Sequence, residues 1–195
     1  MTGAVRLRFE TGLGDFVIEA DTERAPTTAG NFVRLVESGA YDGGCFHRTA
    51  RLDNSSNSEM AESVIGRGMV GDESEYRLPN DAYPICVVQA SARDGIEERP
   101  PIPLERTRDT GLRHVEGAVS MSRQTPDSAV SDFFVCLRDE PELDFGGRRN
   151  PDGQGFAAFG RIVDGFDTVR RIHGAPSQGQ TLTPSVEMRR AMVLP

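Results

Sequence analysis

Val5-Arg6-Leu7-Arg8-Phe9, a turn at Gly12-Leu13-Gly14-Asp15, and Phe16-Val17-Ile18-Glu19-Ala20 open this chain. Val5, Leu7 and Phe9 alternate with Arg6 and Arg8, the period of a strand with one face buried and one in water. A glycine-rich turn and a second apolar run then predict an opening β-hairpin. The same reading recurs further along. Val87-Val88-Gln89, Gly117 to Met121, Phe133 to Leu137 and Phe156 to Val163 are short apolar runs bounded by turn residues, and Val186 to Leu194 closes the chain. Only two segments read as helices. Pro26 suits a first helical turn, Phe32, Leu35 and Val36 share one stripe, and Gly39 supplies a C-terminal cap. Asp164-Gly165 leads into a second, with Phe166, Val169 and Ile172 on one face. Many short strands and two helices predict a mainly β protein, a barrel or a sandwich.

Composition narrows the possible partners. A chain of 195 residues suits a single domain, 1–195, with a sizeable core. A formal charge of −8 opposes nucleic acid as the main partner. All 22 basic residues are arginines, which reads as the codon bias of a GC-rich genome. Cys45, Cys86 and Cys136 are odd in number and lack Cys-x-x-Cys spacing, so neither a disulfide framework nor a zinc site is implied. His47, His114 and His173 are isolated, which disfavours a histidine metal site. Met1 to Arg6 carries no apolar signal core and no run approaches a membrane span. The expectation is a cytoplasmic protein with no membrane partner (periplasmic or secreted if a signal peptide has been removed). From about Arg51 to Pro84 the periodicity dissolves, through the polar Asn54-Ser55-Ser56-Asn57-Ser58, and this stretch reads as an inserted loop region.

Two fragments carry chemistry: Cys45-Phe46-His47-Arg48 and Ser131-Asp132-Phe133-Phe134. Alternation places Phe133 and Phe134 on opposite faces, one of them in the core, and points His47 away from Arg48. In this order the fragments resemble the active-site signature of the cyclophilins, the peptidyl-prolyl cis/trans isomerases. The likeness covers most of the chain outside residues 51–84. Gly14-Asp15-Phe16 and Ala25 to Phe32 resemble the family's first hairpin and helix. Gly111 to His114, Gly117 to Met121, Leu143-Asp144, Phe159-Gly160 and Val163 to Asp167 complete the order. The bacterial branch is the more similar, from Met121-Ser122-Arg123 and the tail Val193-Leu194-Pro195.

The resemblance implies a closed eight-stranded antiparallel β-barrel capped by two α-helices. It also implies a cofactor-independent, metal-free isomerase that acts as a monomer on Xaa-Pro bonds of proline-containing polypeptides. Arg48 takes the place of the catalytic arginine and Gln89 that of the glutamine orienting it. Phe46, Val87, Phe134 and Leu143 would line the proline pocket. Phe156 stands where other members have histidine or tyrosine, and Arg123 where many have an asparagine whose backbone holds the peptide. Three departures stand out. Ala90-Ser91 replaces two glycines, which would strain a backbone needing positive φ. Asp132 replaces a glutamine beside the substrate groove and could reach Arg48. The insertion lengthens the path from Arg48 to Gln89. Together they motivate a second reading, a proline-peptide-binding module with weak or no turnover.

Overall fold

In the computed structural model, which describes residues 3–54, 83–96 and 99–195, the alternating N-terminal residues pair as a hairpin. Strands Ala4–Thr11 (β1) and Gly14–Asp21 (β2) run antiparallel in register from Ala4↔Asp21 to Thr11↔Gly14. Leu7, Phe9, Phe16 and Ile18 are all buried on the inward face. Most of the stretch read as an insertion lies outside the described residues.

The other strands are Cys45–Ala50 (β3), Val87–Ser91 (β4), Ala118–Met121 (β5), Phe133–Cys136 (β6), Ala157–Asp164 (β7), Ser177–Gln178 (β8) and Thr181–Val193 (β9). They follow the order β1-β2-β7-β5-β6-β4-β3-β9, and β9 returns to pair with β1. Eight antiparallel strands therefore close a barrel, and β8 adds a small hairpin to β9. Among the described residues, closure leaves the eight barrel strands without a free edge.

Helix α1, Pro26–Glu37, buries Ala29, Phe32, Leu35 and Val36 in the barrel core. Pro26 occupies its first turn, and the Glu105 carboxylate accepts from the Thr27 and Thr28 amides at 3.0 and 2.7 Å. A negative charge there meets both unpaired N–H groups and the helix dipole. Gly39, at φ +67, lets its own amide and that of Ala40 reach back to Val36 and Leu35. That left-handed closing turn is what the sequence predicts of Gly39, one residue beyond the cap itself. A one-turn helix, Thr107–Thr110 (α2), is additional to the two expected, and Phe166–His173 (α3) is the second predicted helix. Among the described residues, no helix is long and apolar enough to cross a membrane.

Two differences in strand boundary from the sequence reading bear on the site. β9 begins at Thr181, five residues before Val186, and runs through Pro184, a residue that ordinarily argues against a strand. Phe156 lies outside β7. Its amide donates to the Leu143 carbonyl at 2.9 Å, which draws it to the barrel's outer surface.

The interior is built on aromatic rings. Phe133 lies 5.8 Å from Phe9, 5.1 Å from Phe32, 5.5 Å from Tyr41 and 5.9 Å from Phe46, ring centre to ring centre. Tyr41 is fully buried, and its hydroxyl donates to the Ser131 carbonyl at 2.7 Å. A smaller apolar cluster, with Ala50, Val87, Phe134, Cys136 and Leu143, forms on the other side of the same strands. Phe133 and Phe134 thus serve opposite faces of β6. Truncating Phe133 leaves four rings unsupported. Phe133→Ala is expected to cost about 3–5 kcal/mol in urea denaturation, and Phe133→Leu distinctly less.

Candidate active site

β3 carries an irregularity that sets the site. Its pairing with both β4 and β9 shifts register between Phe46 and Arg48. Such a bulge flips the parity of a strand. Phe46 is therefore fully buried inside the barrel, 5.9 Å from the ring centres of both Phe16 and Phe133. Arg48, two residues on, stands half-buried on the outside. The expected place of Phe46 in a proline pocket is overturned for this reason: it is a core residue. The simple alternation used for His47 fails with it. The His47 ring meets Ser91 on the strand beside it, at 3.1 Å from Nδ1.

Beyond the bulge, Arg48 pairs with Gln89 on β4, and Gln89 pairs with Phe134 on β6. The three form one row across adjacent strands, where neighbours stand about 4.8 Å apart. Arg48, Val87, Gln89, Arg123, Phe134, Leu143 and Phe156 all line one cavity of about 220 Å³. Ile85, Ser122, Arg149 and Asn150 complete its wall. Drug-sized ligands occupy roughly 300–1,000 Å³, so this cavity suits a single small ring. Asp132 lines a neighbouring cavity of about 410 Å³ that shares Gln89, Ser122 and Arg123.

The floor is braced from behind. Phe134 stacks on His114, with centres 5.9 Å apart and planes at 15°, and meets Phe156 edge-on at 5.6 Å. The His114 ring is held at both nitrogens, by Asp144 at 2.7 Å and by Ser120 at 2.9 Å. An ionised carboxylate only accepts, so Nδ1 carries a proton and donates to Asp144, while the Ser120 hydroxyl, able to donate or accept, holds Nε2. Burial raises the Asp144 carboxyl, but the hydrogen bonds from the His114 ring and amide outweigh it, and the group sits below its ordinary value.

Arg123 is committed to the wall. Its guanidinium grips Asp152 with two bonds of 2.7 and 2.8 Å, donates to the Gly155 carbonyl at 2.7 Å, and lies 5.0 Å over the Phe156 ring. Arg149 is 6% exposed and donates to the Tyr83 carbonyl at 2.9 Å. The Arg-Arg pair at 148–149 reads as solvated charge in the sequence, and burial at the cavity overturns that for Arg149.

Arg48 is oriented by two amide side chains. Its Nη1 donates to Gln89 Oε1 at 3.2 Å, while Nε and Nη2 both donate to Gln180 Oε1, at 2.9 and 2.5 Å. Gln180 is absent from the sequence-derived set, because the residues before Val186 carry no strand pattern. Of the departures, Ala90-Ser91 is an ordinary piece of β4. Among the described residues only Asp127 is a non-glycine with positive φ, so no strain arises at this pair. The Ser91 hydroxyl instead donates to Asp132 at 3.1 Å.

Residues 6–193 match the family described as cyclophilin type peptidyl-prolyl cis-trans isomerase/CLD. The chain belongs to the cyclophilin-type peptidyl-prolyl isomerases. Peptidyl-prolyl cis-trans isomerase cyp18 of Streptomyces antibioticus is 30% identical over 169 residues, 86% of this chain and 82% of that protein. Peptidyl-prolyl cis-trans isomerase B of Escherichia coli is 27% identical over 167 residues, 85% of this chain and 82% of that one. A crystal structure of a Cryptosporidium parvum cyclophilin superposes with a TM-score of 0.68 at 17% identity, covering 98% of each chain. The cyclophilin barrel is thus this chain's fold, and cofactor-independent prolyl isomerisation is its activity.

One titrating group ties the end of α3 to β3 beside this cyclophilin's site. His173 donates from Nε2 to the Ala50 carbonyl at 3.0 Å, and its own carbonyl accepts from the Thr49 hydroxyl at 2.7 Å. Burial, with Arg51 adding to it, holds the imidazole below its ordinary value, against the hydrogen bond to Ala50. The unfolded chain then binds the proton more readily than the native one, so stability falls as pH drops below about 6.5. Urea midpoints taken at pH 7.5 and 5 are expected to fall on acidification in the parent, and to fall less in His173→Gln.

Proposed function

We propose that Arg48 is the group that acts on the prolyl amide and that the Phe134 cavity seats the proline ring. The substrate lies extended across the outer face of β3, β4 and β6. The carrying observation is the row Arg48–Gln89–Phe134, which opens a guanidinium and an apolar floor onto one cavity.

The chemistry asks for little else. Amide resonance holds the prolyl bond planar, with a barrier of about 18–20 kcal/mol, and the uncatalysed reaction takes tens to hundreds of seconds. No covalent bond breaks, so the protein has only to bind the twisted amide better than either planar form. As the bond twists, the prolyl nitrogen becomes pyramidal and gains a lone pair. A guanidinium N–H directed at that lone pair opposes resonance, and arginine stays charged throughout. Phe134, Leu143 and Val87 hold the ring while the acyl side turns. Their apolar surface also keeps water from the donor, which strengthens its effect.

Gln89 keeps one donor edge of Arg48 facing the cavity. Arg123 acts at a distance from the amide, by fixing Phe156 as the wall opposite. Asp132 borders the neighbouring cavity, where the residues before the proline would run. Clients are proline-containing segments of unfolded or flexible polypeptides, and the role is assistance to folding. The bacterial relatives and the habit of the family support a monomer working in a bacterial cytoplasm.

The test is exchange NMR on a short Xaa-Pro peptide with parent, Arg48→Ala and Phe134→Ala proteins. Arg48→Ala is expected to lower the catalysed rate by about a hundredfold, the usual effect of removing a donor that acts in the transition state, with peptide affinity nearly kept. Phe134→Ala should weaken peptide binding instead. A folded parent that binds the peptide without accelerating its isomerisation would make the protein a proline-peptide-binding module.

A further inference from the structure

We infer that Gln180 is a positioning residue for catalysis, holding the guanidinium of Arg48 at the angle the prolyl nitrogen requires. The inference rests on the reading of Arg48 as the group that acts on the amide.

The geometry is specific. One oxygen, Gln180 Oε1, accepts from both Nε and Nη2 of Arg48, at 2.9 and 2.5 Å. Those two donors define one edge of the guanidinium plane. Arginine offers donors only, so the amide must present its oxygen there. Gln89 takes a third donor, Nη1, at 3.2 Å. A planar group fixed along one edge and at one further nitrogen loses its rotation about the last side-chain bonds. Removing Gln89 would leave the edge held. Removing Gln180 would release two of these three donors, and Gln89 would keep only Nη1. Between the two glutamines, Gln180 therefore controls the orientation.

Its own placement is built into the fold. Gln178 pairs with Thr181, so Gly179 and Gln180 form a two-residue hairpin turn. Gly179 has φ +57 at the first turn position, which the tight hairpin turns reserve for glycine. The Gln180 carbonyl accepts from the Thr49 amide at 2.8 Å, adjacent to Arg48 on β3. The tip is gripped from a third side. Asn54 donates to the Gly179 carbonyl at 3.1 Å, and Arg51 reaches the Ser177 hydroxyl at 3.2 Å. A glutamine at a hairpin tip facing water needs no such bracing. One that must hold a partner within a few tenths of an ångström does.

The test compares parent, Q180M, R48A and the R48A/Q180M double variant. Methionine keeps the length of glutamine and removes the acceptor. Q180M is expected to lower kcat for a short Xaa-Pro peptide by about tenfold while KM stays within about twofold, since the Phe134 cavity is untouched. In the R48A background the same change should have no further effect, because Gln180 acts only through Arg48. The Arg48 Nε–H resonance, assigned by its loss in R48A, should exchange with water about tenfold faster in Q180M, and Q180E, which keeps an acceptor, should restore its protection. If Q180M lowers the thermal midpoint, Q180E decides by the same resonance. Undiminished kcat in Q180M, an equal loss in the R48A background, or no return of protection in Q180E would each overturn the inference. A fully active R48A would instead remove the reading of Arg48 and this inference with it.

Discussion

The bulge between Phe46 and Arg48 is the constraint on which the rest of this molecule turns. A regular strand sends residues two apart to the same face. Without the shift, Arg48 would follow Phe46 into a fully apolar interior, where an unpaired guanidinium costs several kcal/mol. With it, one short strand serves two environments. Its first half completes the ring cluster around Phe133, and its second half presents Arg48 beside Gln89. The shift appears in the pairing with β9 as well as with β4, so both neighbours enforce it. The rigid interior and the reactive surface are in this sense two faces of the same three strands. The interior fixes the backbone, and the backbone fixes the row.

The two arginines of the cavity show how charge is divided between chemistry and structure. Arg123 meets Asp152 with two bonds, and its side chain is almost entirely buried. Such a pair fixes geometry strongly, since both partners lose their orientation freedom together. It serves here to hold Phe156 against Phe134. Arg48 is instead aligned by two neutral amide oxygens. An amide oxygen directs a guanidinium through its dipole, and it meets a group that can only donate. The His114–Asp144–Ser120 chain does a third kind of work. It fixes an aromatic ring beneath another aromatic ring, and so makes a soft apolar floor stiff.

Alternation in Val5 to Ala20, and the brief apolar runs after it, made the barrel's strands legible, and the helix signals at Pro26, Gly39 and Gly165 made two helices legible. Family resemblance located Arg48, Gln89 and Phe134, which periodicity could never have singled out. The bulge was hidden, because Cys45-Phe46-His47-Arg48 reads as well flat as bulged. The place in the pocket that the resemblance implies for Phe46 carries no sign of the bulge that turns it inward. Gln180 and Arg149 were hidden for another reason. Each lies in a polar stretch whose register is set by distant partners, β3 for one and the Tyr83 carbonyl for the other. Long-range contacts of this kind leave no local periodic trace.

The two departures that raised doubt about catalysis are one structural unit. Ser91 stands where the family has glycine, and Asp132 where it has glutamine, and the two meet through a hydrogen bond of 3.1 Å. An ionised carboxylate can only accept, so the single hydroxyl proton of Ser91 points at Asp132. The Ser91 oxygen then has only lone pairs to offer His47, whose Nδ1 lies 3.1 Å away and must carry the proton. The serine gives the carboxylate a donor, and the carboxylate fixes the direction of the serine's proton. As a pair, set on a β4 with no unusual backbone angle, they leave the row of Arg48, Gln89 and Phe134 in register. The groove of this cyclophilin is therefore altered beside the row of Arg48, Gln89 and Phe134, with the row itself left in register.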